Sequence, residues 1–289
     1  MRLTDYLTRI GLDETANAAR ETPFARLSRM HIAHRETFLF ENLSIQTGGA
    51  VSVRLPDLER KFLDERRGGY CFEHNTLFAA ALADAGFAPV TLLGRVRRGP
   101  PERWCRTHMV LKVRGAGVKG TAMQRAGVQS AAGPDDECWL ADVGFGGLGL
   151  LEPIPLRDGA SSLQGGIEYT LRRDGHLWVL SMRDASGDAM DLYEFSDDPQ
   201  TSWDVEVANH FTSTHPESVF RRTLTIQRSG RHERVILRSG MLTRYRDGWM
   251  TEEPIDRAQL PRVARELFGV ELPDGPLVFD MECGALASS

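Results

Sequence analysis

The stretch Arg66-Arg67-Gly68-Gly69-Tyr70-Cys71-Phe72-Glu73-His74-Asn75 decides how the rest of the chain is read. Two glycines interrupt the backbone. The cysteine then opens a helical run whose apolar residues, Leu77, Phe78, Ala81, Leu82 and Ala85, share one stripe, with Gly86 as its stop. A thiol in the first helical turn sits beside backbone N–H groups that lack intrahelical partners and at the positive end of the helix dipole. Both favour thiolate over thiol, so Cys71 is read as a nucleophile with much of the chain placed around it.

Upstream, residues 1–88 read as a helical bundle. Leu3, Tyr6, Leu7 and Ile10, then Leu27, Met30, His31 and His34, recur at three- and four-residue spacings, and Thr22-Pro23 suits a helix start. Downstream the periodicity changes to short, β-rich runs: Val90–Val96, Thr107–Val113, Cys138–Val143, Glu168–Leu171, Leu177–Leu180 and Asp191–Phe195. Arg173-Asp174-Gly175-His176 is a hairpin turn between two of them. Residues 89–200 therefore read as a β-barrel or curled antiparallel sheet. Residues 201–289 read as an α/β segment: a helix from Trp203, strands near 224–226, 234–237 and 243–246, and a helix near 258–268. Gly115 to Asp136 lacks periodicity and reads as a long surface loop.

Composition bounds the function. At 289 residues the chain can bury a large core, and 41% hydrophobic with 26% charged residues is ordinary for a globular protein. A net charge of −5 leaves no electrostatic footprint for nucleic acid. No apolar run approaches the roughly 18 residues of a membrane span. The N-terminal Met1-Arg2-Leu3-Thr4-Asp5-Tyr6 turns polar too soon for a signal peptide, so the expected location is the cytoplasm. Cys71, Cys105, Cys138 and Cys283 are too few and scattered for a disulfide framework, and the last three read as small structural residues.

A nucleophilic thiol needs a base, and histidine is the usual one. His31 and His34 lie one turn apart on a helix and read as core-edge groups. His74 shares the Cys71 helix. His108 stands apart, because an imidazole inside an otherwise apolar strand is costly without partners. Alternation puts His108 on the face of Val110, and Asp142 on the face of Leu140. If the two strands pair, His108 and Asp142 face one cleft, and the carboxylate sets the ring tautomer. The alternative is that Asp142 caps a strand end beside the turn Gly144-Phe145-Gly146-Gly147. Those glycines allow close backbone approach to a ligand. No phosphate-binding glycine motif is present.

Arg67–Asn75, Thr107-His108 and Asp142–Gly147, with His34, Phe40-Glu41-Asn42-Leu43, Ser213-Thr214-His215-Pro216, Ser218 and Phe220, resemble the arylamine N-acetyltransferases, especially the bacterial ones. The resemblance implies an α+β fold with a cysteine-proteinase-like core: an N-terminal helical bundle, a central β-barrel and a C-terminal α/β lid around a cleft. It implies ping-pong transfer of acetyl from acetyl-CoA, through an acetyl-Cys71 thioester, to the nitrogen of arylamines, arylhydrazines or N-arylhydroxylamines. Carried over by position, Cys71 is the nucleophile, His108 the base and Asp142 the orienting acid. Gly144, Gly146 and Asn75 lie near the acyl-CoA end of the cleft, and Phe40, Phe145 and Phe211 line the acceptor pocket. Coenzyme A and a small amine are the expected partners, with no metal, no nucleic acid and no membrane, and a homodimer is the protein assembly open to the chain. Two departures stand out: Phe38-Leu39-Phe40 where the family has Ile-Pro-Phe, and a longer 115–136 connection.

Two other readings compete. A transglutaminase-like or other Cys-His-Asp hydrolase has the same residue order. Papain itself fits poorly, since His108 follows Cys71 by 37 positions rather than roughly 130. A zinc-stabilised binding module would use Cys71, Cys105, His108 and Cys138, but strand residues three apart face opposite ways.

Overall fold

The computed structural model describes residues 1–13, 21–115 and 137–279. Residues 116–136 of the expected loop lie outside them, as does Cys283.

Helix Pro23–Thr37 starts where Thr22 caps it, its hydroxyl accepting the Ala25 N–H at 3.2 Å, with Pro23 as the first helical residue. Helix Cys71–Asp84 starts where the Glu73 carboxylate accepts the Tyr70 N–H at 3.0 Å, and it ends before Gly86 at φ +89°. The glycine pair before it has a steric cause. A Cβ on Gly68 would lie 1.9 Å from the Leu39 carbonyl oxygen, and one on Gly69 2.5 Å from the Glu73 carboxylate. The backbone of Gly69 is thereby free to bond to both Leu39 and Glu41 (3.2 and 2.7 Å). Arg67 binds the Glu41 carboxylate at 2.7 Å, so the segment ahead of Cys71 is fastened to Phe40–Glu41 by backbone and charge together.

Eight antiparallel strands form the second layer, in the order Ile154–Pro155, Cys138–Ala141, His108–Arg114, Ala88–Val96, Ala189–Phe195, Leu177–Arg183, Ile167–Asp174, Ala160–Gln164. The two edge strands are neighbours in sequence and touch, so the sheet curls most of the way to a barrel. Strand His108–Arg114 is buried on both faces. Met109, Leu111 and Val113 join the helical core with Phe72, Leu77 and Phe78, while Val110 joins Leu140, Tyr169 and Leu180 inside the barrel. His108 shares the parity of Val110, and Asp142 that of Leu140. Both belong to the barrel-interior side, as alternation predicts.

The third layer is a five-stranded antiparallel sheet: Phe40–Glu41, Thr225–Ser229, Glu233–Arg238, Met241–Arg246, Trp249–Pro254, with helix Leu260–Phe268 across one face. Its first strand comes from the helical region, pairing Phe40 with Gln227. That exchange between distant parts of the chain was not legible from local pattern. The chain therefore has an α+β fold of helices, a nearly closed barrel and a covering sheet.

Candidate active site

Strand pairing between His108–Arg114 and Cys138–Ala141, with Leu111 opposite Ala141, carries Asp142 to His108. The His108 Nε2–H donates to Asp142 Oδ2 at 2.8 Å, with the imidazole 2% exposed and the carboxylate fully buried. Nδ1 is left as the basic nitrogen. The other oxygen, Oδ1, accepts from Asn75 Nδ2 (3.0 Å) and the Gly144 N–H (2.9 Å). Burial opposes ionisation of Asp142, but His108, Asn75 and Gly144 outweigh it and hold the carboxyl down to about 2.

Cys71 meets this pair through Gly144. A Cβ there would stand 2.8 Å from Cys71 Cα, so only glycine lets the Asp142 turn close onto the helix start. The thiol donates to the carbonyl of Thr107, the residue before His108, at 3.6 Å. Cys71 is 2% exposed. Burial, reinforced by Asp142, pushes the thiol well above its ordinary value, against the Met109 and Phe72 N–H groups that pull it down. Desolvation thus opposes the thiolate that the helix start alone favours.

Asn75, expected at the acyl-CoA end, is fully buried and committed elsewhere. Its amide donates to Met109 O (2.6 Å) and Asp142 and accepts the Val143 N–H (3.1 Å), so its place is beneath the carboxylate. Gly146, at φ +89°, lies against Gln227, whose side chain accepts the Gly147 N–H. Phe145 meets His108 edge-on at 5.1 Å. Phe40 stacks on His74 at 6.1 Å and meets Phe220 at 6.0 Å. Phe211 stands apart: it is exposed on helix Ser202–Thr214 and stacks on His215 at 4.4 Å. The partner of Phe40 is instead Phe220, which also packs on Tyr70 at 5.2 Å. Tyr193, fully buried, lies 4.8 Å from the His108 ring.

The remaining buried histidines are structural. Leu39 O can only accept, so His74 Nε2–H donates to it (3.0 Å) and His74 Nδ1 accepts from His34 Nε2–H (2.8 Å). His34 Nδ1 then accepts the Tyr6 O–H (2.8 Å). His31 donates through Nδ1–H to Leu151 O (2.8 Å) and accepts the Asp142 backbone N–H (3.1 Å), fixing the turn that carries Asp142 from below. Neither His74 nor His31 has a ring nitrogen left for Cys71. A lone helical histidine in sequence carries no sign of such a chain.

Burial holds all three neutral, with His31 down to about 4, His74 to about 3 and His34 well below its ordinary value. A depressed histidine contributes stability that is present above the unfolded value near 6.5 and lost as pH falls below it. Between pH 6.5 and 5 unfolding stability is expected to fall by up to about 4 kcal/mol per pH unit, about 1.4 per histidine. Urea unfolding across that window checks it; a flat profile would mean the histidines do not stay neutral.

Cys105 is exposed, whereas Cys71 and His108 are buried. Among the described residues no group of three or more His, Cys, Asp or Glu side chains is arranged to hold a metal, so the zinc-module reading has no ligand set. Among them, too, no helix is long and apolar enough to cross a membrane.

A buried thiol beside a hydrogen-bonded histidine–aspartate pair at a helix–barrel junction is an arrangement suited to cysteine acyl transfer. Residues 24–120 and 132–277 match the N-acetyltransferase family model. The chain is 34% identical to the arylamine N-acetyltransferase of Mycolicibacterium smegmatis, over 95% of this chain and 94% of that one. It is 32% identical to the arylamine N-acetyltransferase / N-hydroxyarylamine O-acetyltransferase of Salmonella typhimurium, over 86% and 83%. The structure of Mycobacterium marinum arylamine N-acetyltransferase in complex with CoA superposes with a TM-score of 0.80 at 30% identity, covering 99% of this chain and 98% of that one. The chain belongs to the arylamine N-acetyltransferase family.

Proposed function

We propose that Cys71, His108 and Asp142 move acetyl from acetyl-CoA to the nitrogen of arylamines, arylhydrazines or N-arylhydroxylamines in two half-reactions. The observation that carries this assignment is the Asp142 turn, which bonds His108 through its carboxylate and rests on Cys71 through Gly144.

In the first half-reaction His108 Nδ1 takes the Cys71 proton as the sulfur attacks the thioester carbonyl. The tetrahedral intermediate collapses, CoA sulfur leaves with the proton held by His108, and Cys71 carries acetyl. Exchange of one thioester for another is nearly balanced in energy. In the second, the amine nitrogen attacks, His108 accepts its proton, and that proton returns to the departing Cys71 sulfur. Asp142 stabilises the imidazolium in both steps. The Phe72 N–H, which reaches toward the sulfur, is the donor assigned to the oxyanion.

An aromatic amine is neutral at pH 7 and suits the apolar wall around Phe145, Phe40 and Phe220. Gly144 and Gly146 are assigned to the acyl-CoA end of the cleft. The working units are 1–88, 89–200 and 201–289. The chemistry belongs in the reducing cytoplasm, where Cys71 stays a thiol.

Acetyl-CoA supplied without an acceptor tests the reading by mass spectrometry. One acetyl group on the Cys71 peptide, discharged by an added arylamine, is expected. Steady acetate release with no acyl-enzyme handed to the amine would favour the hydrolase instead.

A further inference from the structure

The turn that carries Asp142 is held by two buried arginines. Loop residues 143–149 have carbonyls that no strand pairs, and guanidinium groups take them. Arg35, 3% exposed on helix Pro23–Thr37, donates through Nη1 to Val143 O (3.4 Å) and through Nη2 to Gly146 O (2.6 Å) and Ser229 Oγ (2.9 Å). Arg234, 2% exposed, donates to Gly147 O and Gly149 O, both 3.0 Å, to Gln164 O at 3.1 Å and to the Tyr169 hydroxyl. Neither guanidinium is ion-paired to a carboxylate among the described residues. A buried charge with no counterion in contact is costly, and a planar fork that spans several carbonyls offsets only part of that cost.

We propose that Arg35 is a positioning residue of the catalytic centre: it grips the loop that follows Asp142 and supplies the positive charge that offsets the Asp142 carboxylate when Cys71 ionises. The inference rests on the assignment of Cys71, His108 and Asp142 above. The residues bound by Arg35 are the first after Asp142 and the one after Phe145, so the guanidinium brackets the segment carrying Gly144 against Cys71 and Phe145 against His108.

The groups acting on Arg35 are Arg234, which disfavours its charge, and Asp142, Tyr169 and Tyr193, which favour it; burial comes first and brings it to about 10, so it stays cationic at neutral pH. The same charge helps keep His31, His34 and His74 neutral. Around Cys71 stand His108, Asp142 and, on its own helix, Glu73, whose carboxylates both oppose a thiolate. Lys61 pairs with Glu73 at 2.7 Å. Asp142 is instead offset by His108 and, without contact, by Arg35.

The test is the pH dependence of Cys71 alkylation by iodoacetamide in wild type, Arg35→Lys and Arg35→Met, read beside acetyl-enzyme formation. Removing a positive charge makes every deprotonation nearby harder, so Arg35→Met is expected to raise the alkylation midpoint by about one pH unit, tenfold in thiolate at a given pH. Arg35→Lys keeps the charge but not the fork. It is expected to restore the midpoint while kcat for acetyl transfer stays about tenfold low with KM for acetyl-CoA little changed. A folded Arg35→Met with the wild-type midpoint overturns the proposal, as does an Arg35→Lys midpoint that matches Arg35→Met. Should Arg35→Met not fold, Arg35→Lys and Ser229→Ala decide it: both should lower kcat at an unchanged midpoint, and wild-type kcat in both overturns the grip. Because alkylation needs no acetyl-CoA, a Cys71 that never becomes acetylated would undo the assigned function and still leave Arg35 to be judged.

Discussion

Cys71→Ser is expected to abolish acetyl transfer, lowering kcat/KM by at least about 10⁴-fold, while the fold and melting temperature stay near wild type. Serine replaces sulfur by a smaller atom in a site where the Cys71 thiol donates a long hydrogen bond, to Thr107 O at 3.6 Å, so little packing is lost. The chemistry is lost instead. An alcohol is far more weakly acidic than a thiol, and burial that already opposes a thiolate opposes an alkoxide more strongly. The first step would also turn a thioester into an oxygen ester, from which a poorly basic amine does not readily take acetyl. Acetylated product measured with an arylamine and acetyl-CoA decides it. Turnover within tenfold of wild type would mean that the acyl group never passes through Cys71.

The second large effect is that of Asp142→Asn, about 10⁴-fold in kcat, and the hydrogen bonds dictate why. Asn75 cannot be turned round: its nitrogen donates to Met109 O and its oxygen accepts the Val143 N–H. Asp142 Oδ1 therefore faces two donors, Asn75 Nδ2 and the Gly144 N–H, and an asparagine must place its oxygen there. Its NH2 then points at His108 Nε2. That nitrogen must accept, so the ring proton moves to Nδ1, the nitrogen that should take the Cys71 proton. The variant also removes the carboxylate whose charge acts on Arg35. Single-turnover acetylation of Cys71 isolates the step. A wild-type acetylation rate with a folded protein would take Asp142 out of the mechanism.

Both variants act on residues that local pattern made visible. Cys71 stood at a helix start marked by two glycines. His108 and Asp142 were polar residues in apolar strands, where period-two alternation gave them one face. The pairing of Leu111 with Ala141 then placed them in contact. Pattern was silent where the partner is remote in sequence. Arg35 and Arg234 look like solvent-facing charges, yet both are buried because the unpaired carbonyls of the glycine turn are brought to them by folding. His34 reads as a core-edge group and His74 only as a neighbour of Cys71 on its helix, yet they form a chain from Tyr6 to Leu39. Phe211 and Phe220 are both aromatic and close in sequence. Phe220 meets Phe40 across the strand exchange, while Phe211 lies on the outer side of its helix. Strands Ala160–Gln164 and Trp249–Pro254 were missed because their side chains are largely exposed or polar and leave no apolar alternation.

What the amino-acid order determined by itself was the chemistry on offer: a thiol at a helix start, an imidazole and a carboxylate on matching strand faces, and glycines where side chains cannot fit. These are short-range facts, set by helix and strand periodicity and by the absence of a Cβ. Tertiary structure decided the state of that chemistry. It buried Cys71 so that desolvation works against the thiolate, fixed the His108 tautomer through Asp142, and turned Arg35 inward to the loop beside it. Those outcomes depend on desolvation and on hydrogen-bond partners 34 residues away for His108 and 111 for Arg35, which no local window contains.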